Sequence, residues 1–273
     1  MADKLIIAGT PAEAVASKNA QNIYMAGGTE VMRLGSLVSA DSYVSIRRIP
    51  EMTGIETDGD TIRAGAACTF QQLADCELVP GYIKESLRFM ASRTRRNMAT
   101  IGGNIAIRRD DSFLIPTLIA ASARVSLLGQ NGSCEVSVKD YVFDKDKYEG
   151  LLITAVCFPA RNILVRSYRS ANTAQSHARL TASLSLAGGR YTACAAVKNS
   201  GIYMLDELAA ELSGRRMSED EIVTFVKNKA DIHLDDDLLY GSADYRRYLT
   251  GISFALMYEE LNADNNGKGG CAK

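Results

Sequence analysis

The sequence predicts an α+β fold in two parts. Short strands and helices follow one another to about residue 160, and beyond that point a hairpin is followed by three helices. A chain of 273 residues is long enough for one large domain or two smaller ones. We therefore expect one domain over residues 1–160, a second over residues 161–262, and a disordered, glycine-rich tail at residues 263–273.

Helix and strand signals alternate in the first part. Thr10 marks a helix start, because Pro11 follows at the first helical position and Glu13 lies three residues after the cap. Thr69 and Gln72 have the spacing of a second capped helix. Further helices are predicted at residues 83–91 and 116–123, and short strands at residues 5–7, 22–26, 43–46, 54–57, 61–64, 124–128, 133–138 and 151–158.

The second part begins with a glycine-centred hairpin. Residues 182–187 and 191–197 flank Gly188 and Gly189, a pattern typical of two antiparallel strands joined by a tight turn. Three helices are predicted after this hairpin, at residues 205–212, 218–227 and 242–261. The second part is therefore expected to be a small antiparallel sheet with helices.

Composition excludes several classes of function. Lys and Arg number 31 and Asp and Glu number 32, so the net charge is −1, and the basic excess of a nucleic-acid-binding protein is missing. Mean hydropathy is −0.06, and no stretch of about 18 apolar residues is present. The apolar run at the N-terminus is too short for a secretory signal. We expect a cytoplasmic protein that binds neither nucleic acid nor a membrane.

Cysteines and histidines offer no pattern for metal binding. The chain has six cysteines, but no two of them are separated by two residues, as a zinc ribbon or an iron–sulphur ligand run requires. The two histidines, His177 and His233, are interpreted as surface or structural residues. We expect no metal site and no catalytic residue in this chain, so that redox chemistry would come from a bound cofactor.

Two Gly-Gly turns share one pattern. Residues 25–30 (MAGGTE) and 99–104 (ATIGGN) are each predicted as a strand-like run that ends in Gly-Gly and a small polar residue. Glycine lets successive backbone N–H groups turn toward an anion such as a phosphate, and the Thr29, Thr100 and Asn104 side chains could add hydrogen bonds. The alternative interpretation is an ordinary tight turn at each pair. Neither turn matches a Rossmann or a Walker motif.

Four segments resemble one known family, the flavoprotein (medium) subunits of molybdenum hydroxylases such as xanthine dehydrogenase and carbon monoxide dehydrogenase. Residues 26–30 resemble the first FAD-binding loop of these subunits, and residues 95–105 (RRNMATIGGNI) resemble the second loop. Residues 62–66 resemble the strand between the two loops, and residues 242–247 (SADYRR) resemble a motif of the last helix. The order and spacing of the four segments fit, so the resemblance covers residues 4–262.

The resemblance implies a fold and a cofactor. The first domain would be a two-lobed FAD-binding domain of the vanillyl-alcohol-oxidase-like type, and the second a small antiparallel-sheet-plus-helices domain of the carbon monoxide dehydrogenase flavoprotein type. The FAD contacts would come from both loops, from residues 151–152 and from a basic position in the second domain. The residues carried over are Met25, Ala26, Gly27, Gly28, Thr29, Glu30, Val31, Thr100, Gly102, Gly103, Asn104, Leu151, Leu152 and Arg179.

One stretch departs from the family pattern. A gapless alignment places Phe113 where family members carry an aspartate that contacts the cofactor. Asp110 or Asp111 takes that role if the loop differs by two or three residues, so both are included as cofactor-binding candidates. The arginines just before the second loop are interpreted either as a solvated face or as support for a diphosphate or an inter-subunit contact; they are Arg93, Arg95 and Arg96.

The resemblance also implies partners. In the family, FAD takes electrons from two-iron two-sulphur clusters on one partner subunit and passes them to NAD+ or another acceptor. Substrate is hydroxylated on a third subunit, which carries the molybdenum cofactor. Two alternatives remain open: an assembly or interaction subunit that has lost FAD, and a stand-alone flavin oxidase.

The aspartates at 231 and 235–237 are interpreted as a solvated turn, since they lack the alternate spacing of a calcium loop.

Overall fold

The computed structural model describes residues 4–34, 40 and 42–269, which form an α+β structure of two compact units. The first unit comprises Met1–Pro80, Ser92–Arg108 and Ser122–Ala160, and the second comprises Gly81–Ala91, Arg109–Ala121 and Arg161–Lys273. The predicted first domain over residues 1–160 differs from the first unit in two segments, and the domain boundaries stay a prediction. Each of these segments contains a helix whose packing partners come later in the chain, and sequence order does not reveal such partners.

The first unit opens with a parallel three-stranded sheet. Its elements in chain order are β1 (Lys4–Ile7), α1 (Pro11–Ala16), β2 (Asn22–Met25), α2 (Thr29–Leu34) and β3 (Ser42–Ser45), with strand order β1-β3-β2. Thr10 caps α1, because its hydroxyl accepts a hydrogen bond from the Glu13 N–H at 3.1 Å. The predicted helix start at Thr10 is confirmed.

An antiparallel five-stranded sheet completes the first unit. Its strands are β4 (Ile55–Asp58), β5 (Thr61–Gly65), β6 (Arg124–Gly129), β7 (Gly132–Ser137) and β8 (Leu152–Pro159), in the order β4-β5-β8-β6-β7. The helices of this part of the unit are α3 (Phe70–Asp75), α5 (Arg93–Arg96), α6 (Ile101–Ile107) and α8 (Val138–Phe143). Two further helices, α4 (Gly81–Arg88) and α7 (Ile115–Ala120), belong to the second unit.

The second unit contains one antiparallel sheet and three later helices. Its strands are β9 (Leu164–Ser170), β10 (Leu180–Ala187), β11 (Arg190–Val197) and β12 (Gly201–Met204), in the order β12-β11-β10-β9. The helices are α9 (Asp206–Gly214), α10 (Glu219–Asn228) and α11 (Ala243–Gly269). The predicted hairpin and the three helices after it are confirmed.

Residues 180–185 of strand β10 are buried on both faces of this sheet. Leu180, Ala182 and Leu184 join the hydrophobic core that includes residues of α9, α10 and α11. The residues that alternate with them, at positions 181, 183 and 185, are polar and buried. Because successive side chains of a strand point to opposite faces, these polar residues lie on the other face of the sheet.

A network of hydroxyl groups forms on this polar face, with Thr117 of α7 at its centre. The Thr117 hydroxyl lies 2.6 Å from that of Ser86. It also lies 2.8 Å from the hydroxyl of Ser167 and 3.2 Å from that of Ser183. The network joins α7 to the strands β9 and β10.

The last helix extends further than the sequence indicated. Helix α11 continues to Gly269, so the prediction of a disordered tail was wrong for residues 263–269, and residues 270–273 lie outside the described part of the chain. Side-chain contacts hold this helix on the sheet. Asp264 forms a salt bridge with Arg166 of β9, and Asn262 accepts a hydrogen bond from the Tyr191 hydroxyl at 3.1 Å. A polar, glycine-containing composition does not reveal such contacts.

Membrane-spanning helices are missing from the part of the chain that the structure describes. None of its helices is long and apolar enough to cross a bilayer.

Candidate cofactor-binding site

The first Gly-Gly turn joins β2 to α2 in the first unit. Gly28 has a φ of +69°, a left-handed conformation that favours glycine, and α2 begins at the next residue. Within the described part of the chain, the backbone N–H groups of Gly27, Gly28 and Thr29 have no hydrogen-bond acceptor. Open N–H groups at the start of a helix attract anions, because they carry the positive end of the peptide dipoles.

The residue after this turn, Glu30, forms an ion pair with Arg33. The carboxylate of Glu30 accepts a hydrogen bond from Arg33 Nε at 2.9 Å within α2. The arginine offsets a negative charge that would otherwise repel an anion at the open N–H groups. Glu30 therefore has a structural partner one turn further along its own helix.

The second Gly-Gly pair lies inside a helix rather than after a strand. Thr100 caps α6 by accepting a hydrogen bond from the Gly103 N–H at 3.2 Å, and the Gly102 N–H donates to the carbonyl of Ala66 at 3.0 Å. The predictions of a preceding strand and of N–H groups turned toward a ligand were therefore wrong here. Ala66 lies 36 residues earlier than Gly102 in sequence, so the local pattern could not reveal that its carbonyl accepts this N–H.

Gly102 is required by close packing rather than by its dihedral angles. A Cβ atom on Gly102 would lie 2.5 Å from the Cβ of Ala66 and 2.9 Å from its carbonyl oxygen. Ala66 directly follows β5, the strand of the predicted motif at residues 62–66. The start of α6 is thereby seated on the end of this strand.

The two Gly-Gly segments meet through their backbones. A Cβ atom on Gly27 would fall 1.7 Å from the carbonyl oxygen of Met98 and 2.6 Å from its carbonyl carbon, distances that no side chain tolerates. Met98 lies two residues before the cap of α6. The structure therefore brings the open N–H groups of the first turn beside the segment that leads into the second.

Four other candidates around the two segments are half-buried. Met25 and Ala26 precede the first turn, Val31 lies in α2, and Asn104 lies in α6. These residues are therefore neither part of the buried core nor fully exposed to solvent.

The arginines before the second segment form α5. Arg93 and Arg95 are exposed, as the interpretation of a solvated face requires. Arg96 is half-buried, and its Nε donates to the side chain of Gln71 in α3 at 3.0 Å. Arg96 therefore has a structural contact within the first unit.

The remaining candidates of the first unit are a pair of leucines. Leu152 belongs to β8 and is 1% exposed, so its side chain is part of the core. Leu151 packs on the β6–β7 hairpin, where a Cβ on Gly129 would lie 2.6 Å from its Cδ2. Leu152 can therefore offer a ligand only its backbone.

Asp111 lies in the second unit and is surrounded by cations. Its carboxylate accepts two hydrogen bonds from Arg109, at 2.6 and 2.7 Å, and lies 2.8 Å from His177 Nδ1 and 3.5 Å from Lys198 Nζ. Burial by itself would raise the pKa of Asp111. The hydrogen bonds and charge of Arg109, with the charges of Lys198 and His177, outweigh burial and lower this pKa to about 2.

Asp110 and Arg179 also have partners within the second unit. Asp110 binds Lys198 Nζ at 3.0 Å and the backbone N–H of Asn199 at 2.8 Å. The Arg179 guanidinium donates to the side chain of residue 172, an asparagine, and it lies 3.5 Å from the hydroxyl of Tyr245. The sequence did not indicate Lys198 as part of this arrangement, because it lies 88 residues after Asp110 and only the fold brings the two together. The arginine at position 109 is a neighbour of both aspartates in the sequence, but its role was not predicted.

Metal ligands are not grouped in the described residues. No set of three or more His, Cys, Asp or Glu side chains among them is placed to hold a metal ion. The five cysteines of this part of the chain are free, and they are Cys68, Cys76, Cys134, Cys157 and Cys194.

Comparison with known families identifies the family to which this chain belongs. Residues 3–161 match the model of the FAD-binding domain in molybdopterin dehydrogenases, which is more than half of the chain. The chain belongs to this family, so it is an FAD-binding subunit of an oxidoreductase. The resemblance to this family is confirmed, and the matched residues include three of the four sequence motifs. The open N–H groups of residues 27–29 fit the diphosphate of this cofactor, because they offer donors beside a positive-φ glycine.

Individual relatives and solved structures are similar to this chain over different lengths. The uncharacterized protein YgfM of Escherichia coli K12 is 26% identical over 241 residues, covering 87% of each chain. The carbon monoxide dehydrogenase medium chain of Hydrogenophaga pseudoflava is 31% identical over 113 residues, which covers 40% of this chain and 39% of that protein. A solved structure of carbon monoxide dehydrogenase from the same organism superposes with a TM-score of 0.83 at 19% identity, covering 96% of this chain and 98% of the matched chain. This last comparison supports the fold.

Proposed function

We propose that this chain is the FAD-carrying electron-transfer subunit of a molybdenum hydroxylase. It would take electrons from two-iron two-sulphur clusters on one partner subunit and deliver them to NAD+ or another acceptor. A separate subunit would hold the molybdenum cofactor and oxidise the substrate. FAD, when bound, supplies the redox chemistry, while the protein binds and orients it. The observation that carries the proposal is the backbone contact of Gly27 with Met98, beside which the N–H groups of the first turn are open.

The first turn is assigned to the diphosphate. The N–H groups of Gly27, Gly28 and Thr29, together with the Thr29 hydroxyl, would donate hydrogen bonds to phosphate oxygens. The residues on either side, at positions 25, 26 and 31, would line the same turn. Glu30 would keep its bond to Arg33, which limits its repulsion of the phosphates.

The second Gly-Gly segment, residues 99–104, is assigned mainly a structural role, which is to position the start of α6. Gly102 and Gly103 would set the start of α6, because their N–H groups already donate to residues 66 and 100. The Asn104 side chain would contact the ribityl chain or a phosphate. The Leu151 side chain and the backbone of Leu152 would line the flavin or the adenine.

The roles of the charged candidates in the second unit are proposed from the hydrogen bonds and ion pairs that they form in the structure. Asp110 and Asp111 would order residues 109–111 through Lys198 and the arginine at position 109 rather than bind FAD directly. The guanidinium of Arg179, which the side chains of residues 172 and 245 hold in place, would contact the cofactor. The free cysteines of the described residues suit a reducing compartment, so the proposal includes the cytoplasm.

Titration of the purified, flavin-free chain with FAD tests this proposal. We expect binding of one FAD per chain, with a change of flavin absorbance and fluorescence, and anaerobic addition of NADH then tests whether NAD+ is the acceptor. Failure to bind FAD would favour an assembly subunit, an alternative that is supported by the internally bonded N–H groups of α6. Oxygen consumption by the isolated chain with a substrate would instead favour a stand-alone flavin oxidase.

A further inference from the structure

The strongest exposed apolar feature of the described residues is a turn between α10 and α11. Leu238 is 106% exposed and Leu239 is 74% exposed, so both side chains project into solvent. We call residues 235–241 the leucine turn. Single exposed leucines are common on protein surfaces, but two consecutive ones at the tip of a turn form an apolar protrusion.

The leucine turn is distinguished from the residues just before it. Ile232 is 1% exposed and Leu234 is 7% exposed, and both belong to the hydrophobic core of the second unit. The segment therefore buries two of its apolar side chains before the turn and directs the next two outward. Their outward direction is a property of the turn and not of a generally unpacked segment.

Hydrogen bonds hold the turn in one shape. Asp237 and Gly241 exchange two backbone hydrogen bonds, of 3.0 and 2.9 Å. The Asp237 carboxylate also accepts from the N–H groups of Leu239, at 2.8 Å, and Tyr240, at 3.0 Å. A change of the backbone that turned the two leucines toward the core would break these bonds. A fixed protrusion loses little conformational freedom when it binds a partner.

Further bonds tie the turn to the rest of the unit. The Asn199 side chain donates to the second oxygen of the Asp237 carboxylate at 2.9 Å. Asp236 accepts from the N–H of residue 243, at the start of α11, at 2.8 Å. The buried Arg246 donates to the carbonyl of Asp235 at 2.9 Å. The base of the turn is therefore fixed on both sides of its tip.

Aspartates flank the two leucines along the chain. Residues 231–241 include four aspartates and no lysine or arginine. Asp235 and Asp236 are exposed next to the turn, and Asp244 is exposed in the first turn of α11. An apolar tip within an acidic rim is complementary to an apolar pocket bordered by lysines or arginines.

We infer that the leucine turn is a docking element that inserts into an apolar pocket with a basic rim on a partner subunit. This inference rests on the proposed function, which gives the chain partners that carry iron and molybdenum. Charge complementarity selects a different protein rather than a second copy, since two copies of this turn would place acidic rims together.

Purification of the tagged chain from its native cells tests the inference. Iron and molybdenum per chain are measured, and the subunits that carry them are identified by mass spectrometry. Replacing both leucines, by Leu238→Ser with Leu239→Ser, should lower both metals per chain at least about tenfold. FAD content and Tm should not change. The matched control is Leu78→Ser, which removes a leucine that is 49% exposed in the first unit and should leave both metals in place.

A charge variant tests the rim separately. Asp235→Lys keeps both leucines and should lower metal retention severalfold. Full metal retention in the double leucine variant would overturn the inference. A change from dimer to monomer in that variant, measured by light scattering, would also overturn it, because the turn would then contact a second copy. If the unaltered chain binds FAD but retains neither metal, the proposed partners and the inference both fail.

Discussion

The backbone of Gly27 lies against the carbonyl group of Met98, so closely that a Cβ atom at position 27 would stand 1.7 Å from the carbonyl oxygen. We predict that Gly27→Ala forces the two segments apart and displaces the N–H groups of the first turn. The Kd for FAD should rise by roughly tenfold or more, equivalent to about 1.4 kcal/mol. Tm should fall as well, because overpacking strains the fold. Fluorescence titration and thermal unfolding measure the two effects.

The control for this substitution is Gly81→Ala. Gly81 begins α4, and a Cβ atom there would meet nothing within 4 Å. This variant should keep its affinity for FAD, and its Tm should not fall, since alanine favours the helix. Equal affinities of the Gly27→Ala variant and the unaltered protein would contradict the assignment of the first turn.

Thr100→Val tests the cap of α6. The substitution removes the oxygen that accepts the Gly103 N–H, and loss of such a cap costs about 1 kcal/mol of unfolding free energy. Urea denaturation should show this loss. Thr100→Ser keeps the hydroxyl and should restore most of the stability. Equal losses of stability in the serine and valine variants would show that the hydroxyl cap is not what Thr100 contributes to stability.

Asp111→Asn tests the cation cluster of the second unit. The pKa of Asp111 in the folded protein, about 2, lies below its ordinary value of 3.8. The unfolded chain therefore binds this proton more readily, so the stabilisation is present above pH 3.8 and is lost as the pH falls through 2. This shift corresponds to about 2 kcal/mol.

The asparagine variant imitates the protonated carboxyl group. At pH 7 it should be less stable than the unaltered protein by about 2 kcal/mol. The difference in unfolding free energy should shrink as the pH is lowered toward the folded pKa of Asp111. A difference that stays constant across this range would refute the cluster as its cause. Urea unfolding at several pH values provides the measurement.

Thr117→Val tests the buried hydroxyl network. Thr117 contacts three other hydroxyl groups, and an isosteric valine would leave them with fewer partners. We predict a loss of about 2 kcal/mol of unfolding free energy, since an unsatisfied buried polar group is costly. Adding Ser86→Ala, Ser167→Ala and Ser183→Ala should cost less than three further independent losses, because no orphaned hydroxyl remains. Strict additivity in urea unfolding would contradict the network.

Elements with local signals could be predicted from the sequence. The caps at Thr10 and Thr69 each use a partner three residues away, and both are present in the structure. The hairpin at Gly188 and Gly189 has the same character, since both residues have positive φ in a tight turn. Such features depend on a few neighbouring residues, which the sequence displays directly.

Features that depend on distant residues could not be predicted in the same way. The Gly102 N–H donates to Ala66, and His177 lies beside Asp111 across 66 residues of chain. After residue 262, helix α11 is joined through Asp264 to Arg166, which lies in strand β9 and comes 98 residues earlier in the sequence. The first Gly-Gly turn was predictable as a place of open N–H groups because its glycines directly follow a predicted strand, although helix α2 after the turn was not predicted. The second was not, because its acceptors come from elsewhere.

The division of the chain between the two units has a consequence during synthesis. Helix α7 is buried along its whole length in the finished protein, on the polar side of β10. The ribosome makes this helix before any residue of β9 to β12 exists. The apolar side chains of α7 therefore remain exposed to solvent, or are shielded by a chaperone, until the strands of the sheet have been synthesised. Stalled or truncated chains that end between α7 and the sheet would present this helix to the cell as an aggregation-prone segment.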